Sequence, residues 1–491
     1  MANITYDDGA HLLRRMGFGG APEQIEDLVS RGRESAVDYL VNYELIDNPI
    51  EDILETAFPV IPPPHFSGRS GNLGSLWWQA RMRITRRQFE EKMTLFWHNH
   101  FATALSKVSN PLMYLQNLTL RKYALARFDD LLLKVAQDPA MLVWLDGVTN
   151  VGGRPNENFA RELQELFTMG IRDVVTGEAN YGESDVKEIA RAFTGWKFKG
   201  GEDPQPNKLK KVKFLFNADE HDNGSKTIYG RTANYGGEDV VTIICARRAT
   251  ARFLIKKFFE FFVYPLTESD EDKTTIEKFA DVYVNADHSI KAVVRAIFTS
   301  DEFFSERARF ALVKTPPDFI FGSLRMLGVN LTGDAQELRK NGAFTSISAR
   351  LGSMGLAPFN PPSVAGWDLN LAWISSATLL ERYNFASGLT SKLHPIFRLP
   401  NGAVIEYSGP TTTIDLYKKY TRATAEETVR SFLRVLGPLD VDAETFAALE
   451  TYLETDDNGS PTQFVTDDPT IDNRVRGLVH LIMCLPVFQL N

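Results

Sequence analysis

The run Arg86-Arg87-Gln88-Phe89-Glu90-Glu91-Lys92-Met93-Thr94-Leu95-Phe96-Trp97-His98-Asn99-His100-Phe101 constrains this chain more than any other. It holds no Gly or Pro, and at ~100° per residue its apolar side chains go almost all the way round a helix. A helix apolar on every side is enclosed by others rather than lying on a surface. Yet this one carries two histidines, two glutamates and two arginines. Buried ionisable groups must be paired, hydrogen-bonded or metal-bound. The run therefore predicts a mainly α, large multi-helix globular domain with a polar site inside it.

On that helix Phe89, Met93, Phe96 and His100 share one side, and Arg87, Glu91, Thr94 and His98 the other. His98 and His100 diverge, because two residues two apart share a face on a strand and not on a helix. His98 is the functional candidate, since Glu91 shares its stripe. The structural alternative is a His98–Glu91 hydrogen bond, with His100 a satisfied core histidine.

Composition narrows the function classes. The net charge is -9 and the pI about 5.6, against the basic patch that nucleic acid requires. The two cysteines, Cys245 and Cys484, supply neither a disulfide framework nor a thiolate metal site. No apolar window is long enough to span a bilayer, and the first residues show no secretory signal. The chain is read as soluble and cytoplasmic as written, with export left open. No phosphate loop or dinucleotide fingerprint appears; Ser67-Gly68-Arg69-Ser70-Gly71 lacks the strand–helix context.

Taken in order, helices are predicted over Tyr6 to Met16, from Pro22, over Arg33 to Asn42, and over Ser75 to Val108 with a break near Ile84. Residues 59–74, with His65 and Arg69, read as a Pro/Gly-rich loop able to act as a lid. Helices follow at Pro111 to Leu125, Asp129 to Gln137, a run closed by Gly170, and Tyr181 to Trp196. Between 197 and 237 the alternation of Val212, Phe214 and Phe216 predicts a small β-hairpin insert. Helical periodicity returns at Val240 to Val263. Residues 352–373 form a second Gly/Pro-rich loop, and 399–413 a surface insertion. The whole, 1–491, is read as a single domain.

Four further runs carry polar candidates. In Pro155 to Gly170, Asn158, Glu162 and Glu165 stack on one helix face beside Arg161. An ordinary amphipathic helix looks the same, with Arg161 and Glu165 as an i, i+4 pair. In Ser184 to Trp196, Asp185 is a helix cap or a catalytic acid, and Arg191 a partner of Glu188. His221, Asp222 and Lys226 sit in a polar turn suited to a site or to a hairpin tip. Pro358 to Trp367 presents a tryptophan as a stacking wall or as simple loop packing.

Together these runs resemble the bacterial domain-of-unknown-function family numbered 1800. The resemblance rests on Leu12 to Gly19, Lys92 to Phe101, Asn156 to Leu163, Asp185 to Trp196, His221-Asp222 and Pro361 to Trp367, and extends to Val487-Phe488-Gln489. It implies that His98, Glu162, Arg161 and His221 belong to the family's signature. It implies no activity. Members often carry an export signal of twin-arginine type, which this chain does not show. They often have His-Pro where this chain has Arg247-Arg248, so any role of that histidine does not carry over.

Two functions follow as expectations. The first is a hydrolase acting on a polar, carbohydrate-like substrate through a divalent Zn, Mn or Fe ion. His98, Glu165, His221 and Asp222 would be ligands, and Glu162, Arg161, Asp185 and Glu91 catalytic groups. Trp97, Asn158, Trp196, Lys226 and Trp367 would hold the substrate. A metal-free version uses two carboxylates. A haem or iron oxidase is the weaker relative, since no haem attachment motif is present. The second is a non-catalytic binding or assembly protein whose polar residues form a structural ion-pair network. Both need distant segments to bring their polar residues into one place.

Overall fold

The computed structural model describes residues 3–50, 54, 73–200, 212–329, 343–391, 396–398, 404–406 and 412–491. The 59–74 loop falls almost wholly outside them, as does most of 399–413. The architecture is mainly helical, with three two-stranded antiparallel ribbons among the described residues.

The sequence expectation of one helix over Ser75 to Val108 resolves into two, Leu73–Ile84 and Gln88–His100. The break comes where Thr85 Oγ1 accepts from the Arg87 amide and competes with the helical ladder. The second helix stops at His100, where Phe101 leaves the helical region at φ -103° and ψ 55°. Other boundaries agree closely: Tyr6–Met16 forms as expected, capped by Thr5, whose hydroxyl accepts from the Asp8 amide. The Tyr181 to Trp196 segment is helical only over Glu183–Ala192. Gly195, at φ 80°, then turns the chain into a strand.

The expected single hairpin is two ribbons. Trp196–Lys199 pairs with Lys213–Phe216, and Lys226–Ile228 with Arg231–Ala233. A third ribbon, Ile396–Arg398 with Val404–Glu406, lies partly in the expected 399–413 insertion.

Two large apolar clusters make the core. One draws on residues from Ile4 to Ala308, the other mainly on the C-terminal half. The Gln88–His100 helix runs between them: Phe89, Met93, Phe96 and Trp97 enter the first and Leu95 the second. Only Glu90 and Asn99 on this helix are less than fully buried. That is the enclosure its all-round apolarity predicts. Among the described residues no helix is long and apolar enough to cross a membrane.

Candidate functional site

Each charged group on the enclosed helix has its own partner. Glu91 is wholly buried and accepts from Arg81 Nε at 2.8 Å, from Arg121 Nε and Nη2 at 2.9 Å, and from Trp78 Nε1 at 3.0 Å. Burial alone would raise its pKa; Arg121 and Arg81 outweigh burial and hold it at about 2. Lys92 forms a buried ion pair with Asp318.

His98 does not bond to Glu91. Trp78 stands between them, its indole edge-on to the His98 ring at 5.2 Å. Phe359 and Trp367 complete an aromatic box, with ring centroids at 5.6 Å in both cases. His98 Nε2 is buried without a hydrogen-bond partner. Burial lowers the His98 pKa to about 3, so the ring is neutral.

One residue on, Asn99 grips the loop that carries Trp367. Its Oδ1 accepts from the Trp367 amide at 2.6 Å, and its Nδ2 donates to the Trp367 carbonyl at 3.3 Å. Gly366 allows this approach. It sits at φ 84°, and a Cβ there would lie 2.3 Å from Asn99 Oδ1. Phe359 and Asn370 in the same loop also hold positive φ, at 66° and 58°, a conformation unfavourable for side-chain-bearing residues.

His100 donates its Nε2 proton to the Phe167 carbonyl at 2.9 Å, since a carbonyl can only accept. Burial lowers its pKa to about 3, so Nδ1 keeps a lone pair.

A cleft of about 310 Å³ opens beside Asn99 and His100. Leu166 lines it from just beyond the Asn158–Glu165 helix, and Lys257 and Glu260 line it from Arg248–Phe262. Trp367, Asp368 and Asn370 form the remaining wall. This size, with a few polar groups among apolar ones, is ordinary for a small-molecule site.

The other expected site residues sit elsewhere. Arg161 pairs with Glu183 at 2.8 Å and Glu157 at 3.4 Å, not with Glu165. Glu165 accepts from Tyr181 OH at 3.2 Å. Glu162 stands one turn before Leu166, whose amide donates to the Glu162 carbonyl. Partial burial, then the neighbouring Glu165, raises its pKa. Asn158 donates to Asp146 at 3.2 Å. Asp185 caps its helix by accepting from the Gly182 amide at 2.9 Å, and it also accepts from the Tyr229 amide at 2.8 Å.

His221 and Asp222 do lie together, around Thr194. The Asp222 amide donates to Thr194 Oγ1 at 2.8 Å, and His221 Nδ1 lies 2.9 Å from the Thr194 carbonyl. Asp222 is bound by Arg191 at 2.7 Å, which also pairs with Glu188 at 2.8 Å. Lys226 is buried, its ammonium donating to the Asp222 and Gly224 carbonyls and to Asn234.

Three substrate-binding expectations are corrected by burial: Lys226 is 0% exposed with its ammonium engaged by three protein acceptors, and two tryptophans are enclosed. Trp97 is 0% exposed and Trp196 2% exposed. Trp97 donates to the Ala124 carbonyl at 2.9 Å, and Trp196 packs on Phe193 and Phe214. Neither offers a face to a ligand. The metal expectation meets a similar difficulty. His98 is boxed by aromatic rings, Glu165 serves Tyr181, and Asp222 is neutralised by Arg191. Among the described residues no three of His, Cys, Asp and Glu are grouped to hold a metal ion.

Sequence reasoning missed Asn99, His100, Lys257, Glu260, Asp368 and Asn370 as cleft residues. Lys257 and Glu260 were legible as polar breaks in the apolar run of the Arg248–Phe262 helix. The fold and site thus define a mainly helical protein with an internal ion-pair framework and a polar cleft against the Gln88–His100 helix. The model of a family described as "Protein of unknown function (DUF1800)" matches residues 11–490, and the chain belongs to that family. No curated protein and no solved structure matches it.

Proposed function

We propose that this protein is a hydrolase for a small polar substrate of the saccharide class, held in the cleft beside Asn99, His100 and Trp367. One observation carries the reading. Runs far apart in sequence meet at this cavity: the end of the Trp97-His98-Asn99-His100 run, Leu166, the Lys257–Glu260 turn and the Gly366–Asn370 loop. Loops held by a rigid scaffold are where binding residues concentrate.

The chemistry fits a polyhydroxylated ring. Leu166 and Phe261, both part-exposed, offer an apolar wall, and Trp367 backs it. Asn370, Lys257 and the His100 Nδ1 lone pair supply donors and an acceptor for hydroxyls. Glu260 and Asp368 are the two carboxylates lining the cleft. In glycoside hydrolysis one such group protonates the leaving oxygen as the C–O bond breaks, and the other activates water or attacks the ring carbon. This carboxylate route is preferred to the divalent-metal route, since no ligand set is gathered among the described residues.

The test is binding. Mono- and disaccharides should raise the melting temperature of the wild type, and the effect should vanish in Trp367→Ala and Asn370→Ala. A melting temperature unmoved by every saccharide would overturn the substrate class.

A second reading, a binding or assembly protein, is favoured by a separate observation. Glu91, Arg161, Asp185 and Asp222 are each occupied in ion pairs or caps. Under that reading they fix helix register and take no part in chemistry.

A further inference from the structure

Cysteine spacing alone points to no metal site, but the fold pairs one cysteine with an imidazole. Cys245 is 0% exposed and out of reach. Cys484 is half-buried, at the end of the Arg476–Cys484 helix. One helical turn earlier stands His480, also half-buried. Residues four apart lie on one face of a helix, and here His480 Nε2 lies 3.8 Å from Cys484 Sγ. Neither residue lines the saccharide cleft.

That separation suits a shared ion. A metal ~2.3 Å from a sulfur and ~2.0 Å from a nitrogen holds the two atoms ~3.6 Å apart at a tetrahedral angle and ~4.3 Å apart in a straight line. The observed 3.8 Å falls inside this window. The same distance also suits a weak thiol hydrogen bond, and the two readings differ in what the pair does when offered an ion.

The surroundings select the class of ion. Among the described residues no group of three His, Cys, Asp and Glu is gathered, so the pair has no further ligand of these types. Structural zinc takes four protein ligands, and calcium and magnesium take oxygen. A soft monovalent cation is satisfied by one thiolate and one imidazole, and sulfur ligands select Cu(I). Burial lowers the His480 pKa, so the ring is neutral near pH 7 and has a lone pair to give. Burial also raises the Cys484 thiol to about 11, so only a thiophilic ion competes with its proton.

We propose that Cys484 and His480 form a two-coordinate site for a soft monovalent cation of the Cu(I) class. The ion takes the place of the thiol proton, which leaves to solvent, and no electron is transferred. The site is independent of the saccharide cleft.

Anaerobic titration of the full chain with Cu(I), against a chromogenic Cu(I) chelator as competitor, tests this. One ion per chain is expected. Cys484→Ser should abolish binding, and His480→Ala should weaken it by about tenfold or more, as losing one of two ligands requires. Cys484→Ser exchanges a single atom, so it keeps the test valid where His480→Ala disturbs the helix. Failure to hold Cu(I) against the chelator would leave only a thiol hydrogen bond. Binding that survives Cys484→Ser, or that His480→Ala leaves unchanged, would likewise overturn the site.

Discussion

Asn99 holds Trp367 by both backbone groups, accepting from its amide at 2.6 Å and donating to its carbonyl at 3.3 Å. The central helix thereby fixes the position of the tryptophan that walls the cleft. Stability and ligand binding are coupled through that one side chain.

Asn99→Ala should cost about 1–3 kcal/mol, the range for leaving buried backbone groups unpaired. Gly366→Ala should cost about 3 kcal/mol or more, because left-handed strain of ~1–3 kcal/mol adds to displacement of Asn99. Urea denaturation checks both. A Gly366→Ala variant as stable as the wild type would show that the loop does not dock as described.

The Glu91 network makes an acid-sensitive contribution. Its folded pKa is held at about 2, below the ordinary 4.5, so the stabilisation is full above pH 4.5 and is lost as pH falls toward 2. At neutral pH Glu91→Gln should cost about 3–5 kcal/mol, since two buried guanidinium groups lose their counter-charge. The gap between variant and wild type should narrow as pH falls through that window. A gap independent of pH would contradict the assignment.

Buried histidines give a second, separate window. His98 and His100 fall to about 3, and His11 lies well below 6.5, all through burial first. The unfolded chain therefore binds more protons below pH 6.5, and stability falls as pH drops from 6.5 toward 3. Each histidine adds up to ~1.4 kcal/mol per pH unit to that slope. His98→Gln should remove one such share, measured by denaturant titration between pH 6.5 and 5. An unchanged slope would mean that His98 is protonated in the folded state.

Much of this was legible in the sequence. The enclosed helix followed from its all-round apolarity, and Asp185 and Arg191 fell into the cap and the Glu188 pair that helix chemistry offers them. What periodicity could not show was which distant partner each polar residue meets. Glu91 and His98 share a stripe, yet Trp78 from the preceding helix separates them. Arg161 bypasses Glu165 for Glu183, a partner supplied by the next helix. The wheel makes His100 a core histidine, and it does bond a backbone carbonyl, but its position at the helix end also places it on the cleft. These are tertiary choices, made by helix packing that no wheel contains.

Turnover of a panel of aryl glycosides and esters tests the cleft most directly. Wild type should hydrolyse at least one glycoside. Glu260→Gln and Asp368→Asn should lose that activity while folding normally, and Glu162→Gln should retain it. No turnover of any glycoside, or activity that survives the cleft variants and disappears in Glu162→Gln, would contradict the cleft as the site of chemistry.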